Sequence, residues 1–108
     1  MTRFFTLGCY TDKSLAGFVK NPNTDRKAST KKIVEAAGGK LTDYALLRGD
    51  FDFIGIIDCP DFESVASIKV AVVSTGMIKN FIILEETDIN SIDKKSSTLL
   101  SSYNKAGD

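Results

Sequence analysis

Hydrophobic and polar positions change period repeatedly along the chain, and each change predicts an element. Residues 3–10 are aromatic and β-branched and read as a first strand. Residues 11–23 break it. Within the break, Leu15, Phe18 and Val19 are spaced as one short helical turn covering an edge of the core, and Pro22-Asn23 punctuate. Thr24 or Asp25 can then cap a helix by accepting a bond from a free backbone N–H. In that helix Thr30, Ile33, Val34 and Ala37 fall on one face, with Lys27, Lys31 and Glu35 on another. Gly38-Gly39 ends it, because glycine tolerates the left-handed conformation of a helix stop. Residues 40–48 alternate, with Leu41, Asp43, Ala45 and Leu47 on one side and Thr42, Tyr44, Leu46 and Arg48 on the other. Residues 52–58 are denser, and Phe53-Ile54-Gly55-Ile56-Ile57 predicts a strand covered on both faces. Pro60 stops that strand, and Asp61 is placed to cap the next element.

Residues 62–75 are rich in β-branched side chains, which favours a strand on local propensity alone. Their length, the Pro-Asp start, the stop at Gly76 and the spacing of Phe62, Val65, Ala66, Val72 and Val73 predict a helix instead. Residues 78–86 form a fourth strand. Beyond a main domain of residues 1–87 the chain turns Ser- and Lys-rich. Ile89, Ile92, Leu99 and Tyr103 fall near one helical face, so residues 88–108 are a short C-terminal helix or a flexible tail.

Two strand–helix–strand halves joined by a hairpin predict an α+β, ferredoxin-like βαββαβ sandwich. Right-handed crossovers place the first and third strands in the centre of the antiparallel sheet, with the helices on one face. The strands are apolar on both parities: Phe53 and Ile57 against Ile54 and Ile56, and Phe81 and Ile83 against Ile82 and Leu84. Left bare, the second face would be a larger apolar patch than soluble monomers expose. A second copy packed sheet to sheet would cover it, so the expected partner is the chain itself, as a homodimer or higher homo-oligomer of the dimeric α/β-barrel type.

Composition narrows the chemistry. A chain of 108 residues is one domain. On size alone it has room for one core but not for a core plus a deep private cavity. Acidic and basic residues balance at 14 each, so no global field draws nucleic acid or an anionic membrane. No apolar run approaches the roughly 18 residues a membrane helix needs. The first residues carry too short an apolar stretch for a signal peptide, and the expected location is the cytoplasm. There is no histidine, which removes the usual general base and the usual zinc or haem ligand. No metal or cofactor is expected. Cys9 and Cys59 lie near the ends of strands that run antiparallel as neighbours, so their sulfurs stand at opposite ends of the sheet and cannot bridge.

Two groups of residues are candidates for a site. The first is the hairpin Arg48-Gly49-Asp50-Phe51-Asp52. Gly49 permits a positive φ, Asp50 and Asp52 can accept backbone N–H bonds around the turn, and Phe51 packs over the sheet edge. These features make either a tight structural turn or a ligand-facing carboxylate at a barrel mouth. The second is Arg26, which precedes Thr30 and Ile33 on the inward stripe of its helix. Tyr10, Tyr44 and Asp52 can join it in a small polar pocket between helix and sheet. Residues 48–54 also echo the third-strand signature of RNA-recognition motifs. Against that reading, residues 41–63 carry six acids (Asp43, Asp50, Asp52, Asp58, Asp61, Glu63) and one base, Arg48, which repels phosphates.

Tyr10-Thr11-Asp12, Gly38-Gly39-Lys40, Gly49-Asp50-Phe51-Asp52, Cys59-Pro60-Asp61 and Gly76, in this order, resemble the GYD domain family. The likeness runs from about residue 3 to residue 86. Its most specific part is the Gly-x-Tyr-Asp hairpin, where this chain carries Phe51 in place of the tyrosine. The resemblance implies a ferredoxin-like fold assembled as a dimeric α/β-barrel, and implies little about activity. Three functions stay open. They are a small homo-oligomeric binding, accessory or small-molecule-sensing protein; a cofactor-independent isomerase or monooxygenase using Asp50, Asp52, Tyr10 or Tyr44 as acid–base groups; and an RNA-binding module. An aromatic pocket with a buried carboxylate would favour the enzyme, a shallow or filled interior the binding protein, and exposed rings on the open sheet face RNA.

Overall fold

Eight elements succeed one another in the computed structural model, which describes residues 1–107. They are β1 (Thr2–Tyr10), α1 (Asp12–Lys20), α2 (Arg26–Ala36), β2 (Lys40–Leu46), β3 (Phe53–Cys59), α3 (Phe62–Ser74), β4 (Ile78–Glu85) and α4 (Ile89–Leu100). The strands make one antiparallel sheet in the order β2-β3-β1-β4, the ferredoxin-like arrangement with the first and third strands central. Each helix starts at a Thr or Asp whose side chain accepts the N–H three residues on: Thr11, Asp25, Asp61 and Asp88. For α2 the cap is Asp25 and not Thr24.

The break after β1 is more than the single turn its spacing suggests: it is a nine-residue helix. Thr11 caps it, Asp12 lies in its first turn and Lys20 in its last, so both ends complement the helix dipole. Leu15 and Val19 do not cover the core and are exposed, while Ser14 and Phe18 turn inward. The Thr11 hydroxyl donates to the Gly76 carbonyl at 2.6 Å, and the Ser14 hydroxyl donates to the Met77 carbonyl. These bonds tie α1 to the turn between α3 and β4.

α3 is helical despite its β-branched content, because one stripe of it is buried. Val65 and Ile68 are buried and Val72 half-buried against the sheet. Phe62 and Val70, at 61% and 68% exposure, stand outside that stripe.

Two bulges alter the alternation of the edge strands. In β2, Leu41 pairs with Ile57 but Asp43 pairs with Ile56, so Thr42 is an extra residue. Strict alternation puts Leu41 and Tyr44 on opposite faces. The inserted residue brings both to the helix-covered face, where they pack against the core. The strand also ends at Leu46, two residues before the alternating pattern does. In β4, Leu7 pairs with Ile82 and Cys9 with Lys79, so two residues of β4 oppose Gly8. Asn80 takes φ 51° there, a left-handed conformation that asparagine tolerates better than most side chains. The result places Ile78 and Phe81, three residues apart, on the same inner face.

The core lies between sheet and helices and divides in two. Phe4, Val34, Ile57, Cys59, Val65 and Ile68 fill one end. Tyr10, Phe53 and Phe81 line the other, with Phe18, Tyr44 and Ile78 against them. The second group is built of rings and does not close. A cavity of about 410 Å³ remains under α1 and α2. Chain length predicts no deep private cavity beside the core; the space here is partly open, and α1, nine residues long where its spacing suggests one turn, lies over it.

On the other sheet face Arg3 pairs with Asp58 across β1 and β3, its Nε 3.0 Å from Oδ1. That guanidinium holds the Asp58 carboxyl below its ordinary range. Around the pair lie Phe5, Leu7, Ile54, Ile56, Ile82 and Leu84, and no helix covers them. α4 stands away from the sheet with every residue exposed. The radius of gyration is accordingly 18.3 Å, against about 13 Å for a compact chain of this length.

Candidate functional site

The ring-lined end holds a concave, mostly apolar cavity. Its floor comes from Phe53 and Ile57 of β3 and Phe81 of β4, and its sides from Ile33 of α2 and Ile68 and Val72 of α3. Its polar lining includes Tyr10, Thr24, Arg26, Ser29, Thr30 and Tyr44; Thr6 and Ser14 also line it, with their hydroxyls donated to the Gly55 and Met77 carbonyls. A mostly apolar cavity of some 300–1,000 Å³ with a few converging polar groups is the usual form of a small-molecule site.

The tyrosines arrive from different strands. Tyr10 ends β1 and Tyr44 is brought inward by the Thr42 bulge, so their hydroxyls meet at 2.8 Å. Burial, followed by the bond to Tyr10, pushes the Tyr44 phenol well above its ordinary value. Thr30 and Arg26 pull weakly the other way, and the phenol remains a protonated donor at neutral pH. One hydroxyl of the pair donates to the other, which leaves one O–H free for a third partner.

Arg26 is the first residue of α2 and is half-buried. Its guanidinium carbon lies 3.6 Å from the centroid of the Phe18 ring and 5.0 Å from that of Tyr10. Phe18 and Tyr10 meet edge to face at 4.9 Å, so the cation rests in an aromatic corner. Among the described residues no carboxylate forms an ion pair with Arg26, and no protein acceptor bonds its guanidinium. A shallower hollow of about 480 Å³ adjoins on the outside and shares Thr24, Arg26 and Tyr44 with the cavity.

Of the seven candidate residues, the fold brings Tyr10, Arg26 and Tyr44 together and places Arg48, Asp50, Phe51 and Asp52 elsewhere. The hairpin spans the six residues after β2. It is closed by Leu47 N–H donating to the Asp52 carbonyl at 2.8 Å, with Gly49 at φ 142°. The Asp52 carboxylate does not bond within the turn. It accepts the backbone N–H of Tyr10 at 2.8 Å, and the Asp52 N–H donates to the Gly8 carbonyl at 2.9 Å. Asp50 meets β1 through its main-chain oxygen, which accepts from Cys9 Sγ at 3.3 Å. The motif thus staples the hairpin to the end of β1, the strand end that carries Tyr10. Phe51 is half-buried, and Arg48 is exposed.

Phe18, Phe53, Phe81 and Thr30 line the cavity beside the expected residues, and the sequence does not mark them as site residues. For Phe81 a signal exists. Asparagine in mid-strand, at Asn80, is the mark of a bulge that re-aims its neighbours. Phe18 has only its position eight residues before Arg26, which says nothing until α1 is known to fold over the sheet.

The sheet and helices are similar in fold to the solved structure of MtbAldR, with a TM-score of 0.52 at 13% identity over 81% of this chain. The chain spans about half of that structure, 52% of its length. No functionally curated protein matches the sequence. The GYD domain model matches residues 4–95, from the first core phenylalanine through the sheet and into α4. The chain belongs to the GYD domain family.

Proposed function

We propose that this chain is a cytoplasmic, homo-oligomeric binding domain that holds a small molecule between its sheet and helices and responds to it. The observation that carries this reading is the cavity of about 410 Å³, with Arg26 and the Tyr10–Tyr44 hydroxyl pair converging on its apolar floor. Binding is favoured over catalysis because, among the described residues, the lining includes no carboxylate, thiol or amine. The carboxylates Asp50 and Asp52, the acid–base groups on offer in the sequence, belong to the hairpin staple outside it. RNA binding loses its support on the open sheet face, where Phe5 is accompanied by Leu7, Ile54, Ile56, Ile82 and Leu84 rather than by further rings. Fragment screening by amide NMR tests the reading. Hits should shift the signals of Tyr10, Phe18, Tyr44 and Phe53 together. A library of apolar and aromatic fragments that leaves these four unmoved would rule it out.

Self-association belongs to the same proposal. The open face presents Ile82 at 39% exposure and Leu84 at 52% beside half-buried Phe5, Leu7, Ile54 and Ile56. α4 adds Ile89, Ile92, Leu99 and Leu100, all exposed. An isolated helix of 12 residues is marginal in water, so α4 needs a surface to pack on. A second copy of the chain, laid sheet to sheet, supplies one. Ile56 points to that face whereas its neighbour Ile57 is 1% exposed in the core. Ile56→Glu should therefore convert the assembly to monomers that remain folded. Light scattering that finds the wild type monomeric at micromolar concentration would contradict the idea.

A further inference from the structure

Arg26 is the feature of the cavity that the fold itself does not need. Its stem begins α2, but among the described residues its charged end meets the faces of Phe18 and Tyr10 and no hydrogen-bond acceptor. A cation over an aromatic face is held more weakly than in a bidentate guanidinium–carboxylate pair, and the N–H edge of the fork stays unengaged. Arg26 and the Tyr10–Tyr44 hydroxyl pair, with its one O–H to give, line the same cavity, and the Tyr44 phenol feels the Arg26 charge. Thr24, Ser29 and Thr30 give their hydroxyl hydrogens to the main-chain carbonyls of Asn21, Asp25 and Arg26, so the donors left on this side are the guanidinium and the one tyrosine O–H, with a single positive charge among the described lining residues.

We infer that the cavity is built for an apolar monocarboxylic acid, its carboxylate held by the Arg26 guanidinium and the Tyr10–Tyr44 hydroxyls and its tail lying on Phe53, Phe81, Ile33 and Val72. This rests on the small-molecule reading above and names the ligand class. Three observations select it. The floor and far wall are apolar except for Thr6, whose hydroxyl is taken by the Gly55 carbonyl, so the tail must be apolar too. One cation matches one negative charge, and the planar fork of arginine fits the planar carboxylate with two parallel bonds, whereas a phosphate dianion would carry a second charge without a partner. Among the described residues the lining has no Asp or Glu, so the ammonium group of an amino acid would be buried unpaired. The cap residue Asp25 is the nearest acid in sequence. It is exposed and accepts the Ala28 N–H at 2.9 Å, directed to its own helix and not into the cavity.

The test uses the full chain and three compounds of one chain length: octanoate, octan-1-ol and 2-aminooctanoate, each titrated against the amide signals of Tyr10, Phe18, Tyr44 and Phe53. Octanoate should bind at least about tenfold more tightly than either of the others, a difference of about 1.4 kcal/mol. Arg26→Met keeps the apolar stem and should reduce octanoate to the affinity of octan-1-ol. Arg26→Lys keeps the charge without the fork and should fall between. The comparison of the three compounds on the wild type needs no variant to fold. Equal binding of octanoate and octan-1-ol overturns the carboxylate inference and leaves the small-molecule reading standing. Tighter binding of 2-aminooctanoate overturns it in favour of an amino-acid site. Silence from all three, together with silence from the fragment library, overturns both.

Discussion

Gly39→Ala should destabilise the protein by an amount at or above the ~3 kcal/mol upper end of ordinary overpacking. The reason is space and not backbone conformation. Gly39 links α2 to β2, and its N–H donates to the Val34 carbonyl at 3.0 Å. A β-carbon there would lie 2.6 Å from the Asp58 carbonyl oxygen, 2.8 Å from Cys59 Sγ and 3.3 Å from Val34 Cγ1. The first of these is main chain in a central strand. The second belongs to a side chain that is 0% exposed. Neither can move without separating β2 from β3 at the Lys40–Asp58 pair or lifting α2 from the sheet. Urea denaturation of the two proteins gives the difference directly. A loss below about 1 kcal/mol would mean that the α2–β2 junction is looser than these distances state. Gly38, its neighbour, is a contrast: it has φ 81°, and its nearest contact for a β-carbon is Pro60 at 3.9 Å, so substitution there meets backbone strain rather than collision.

The second large effect is expected at Phe4. Its ring is 0% exposed and packs with Val34, Ile57, Val65 and Ile68, which join β1, α2, β3 and α3. Phe4→Ala removes that contact from the tightly filled end of the core and should cost about 3–5 kcal/mol. Against a total stability of about 5–15 kcal/mol for a domain of this size, this leaves a marginal protein. Tyr44→Phe, at the open end, removes one hydroxyl from the pair and should cost only about 1 kcal/mol. The ratio between the two, read from denaturation midpoints at equal slope, states where the fold is held. The end around Phe4 supports the structure, and the end around Tyr44 leaves room for a guest. Similar losses for the two variants would contradict that division.

Sequence pattern alone makes the order of elements legible. The stretch 62–75 is the instructive part, because local propensity favours a strand and periodicity favours a helix. Periodicity prevails since Val65, Ile68 and Val72 together bury one stripe, and tertiary burial outweighs differences of a few tenths of a kcal/mol per residue in intrinsic preference. The caps at Asp25 and Asp61 are readable for the same local reason: each is a short acid just before a helical run. Arg26, Tyr10 and Tyr44 can be grouped from their places near strand ends and on the inward stripe of a helix. Asp52 groups with them on the same grounds, but its carboxylate is taken by the backbone N–H of Tyr10, a partner 42 residues away in the chain. No local pattern announces such a bond.

What only the tertiary structure decided is which side chains face inward and whether the inside is full. A strand's alternation predicts faces only while each residue has one partner. Thr42 and Asn80 break that condition, and each break moves residues to the inner face: Tyr44 in β2, Ile78 in β4. The cavity depends on a further fact that no single segment contains. α1 folds over the sheet because Thr11 and Ser14 bond to carbonyls of Gly76 and Met77, more than 60 residues on. The chain by itself determined the period of each element, the stops between them and the apolar excess on both faces of the sheet, because these arise from local sterics and from counting. The roof, the cavity beneath it and the free edge of Arg26 were settled only by contacts between distant residues, because packing, unlike periodicity, depends on what stands opposite.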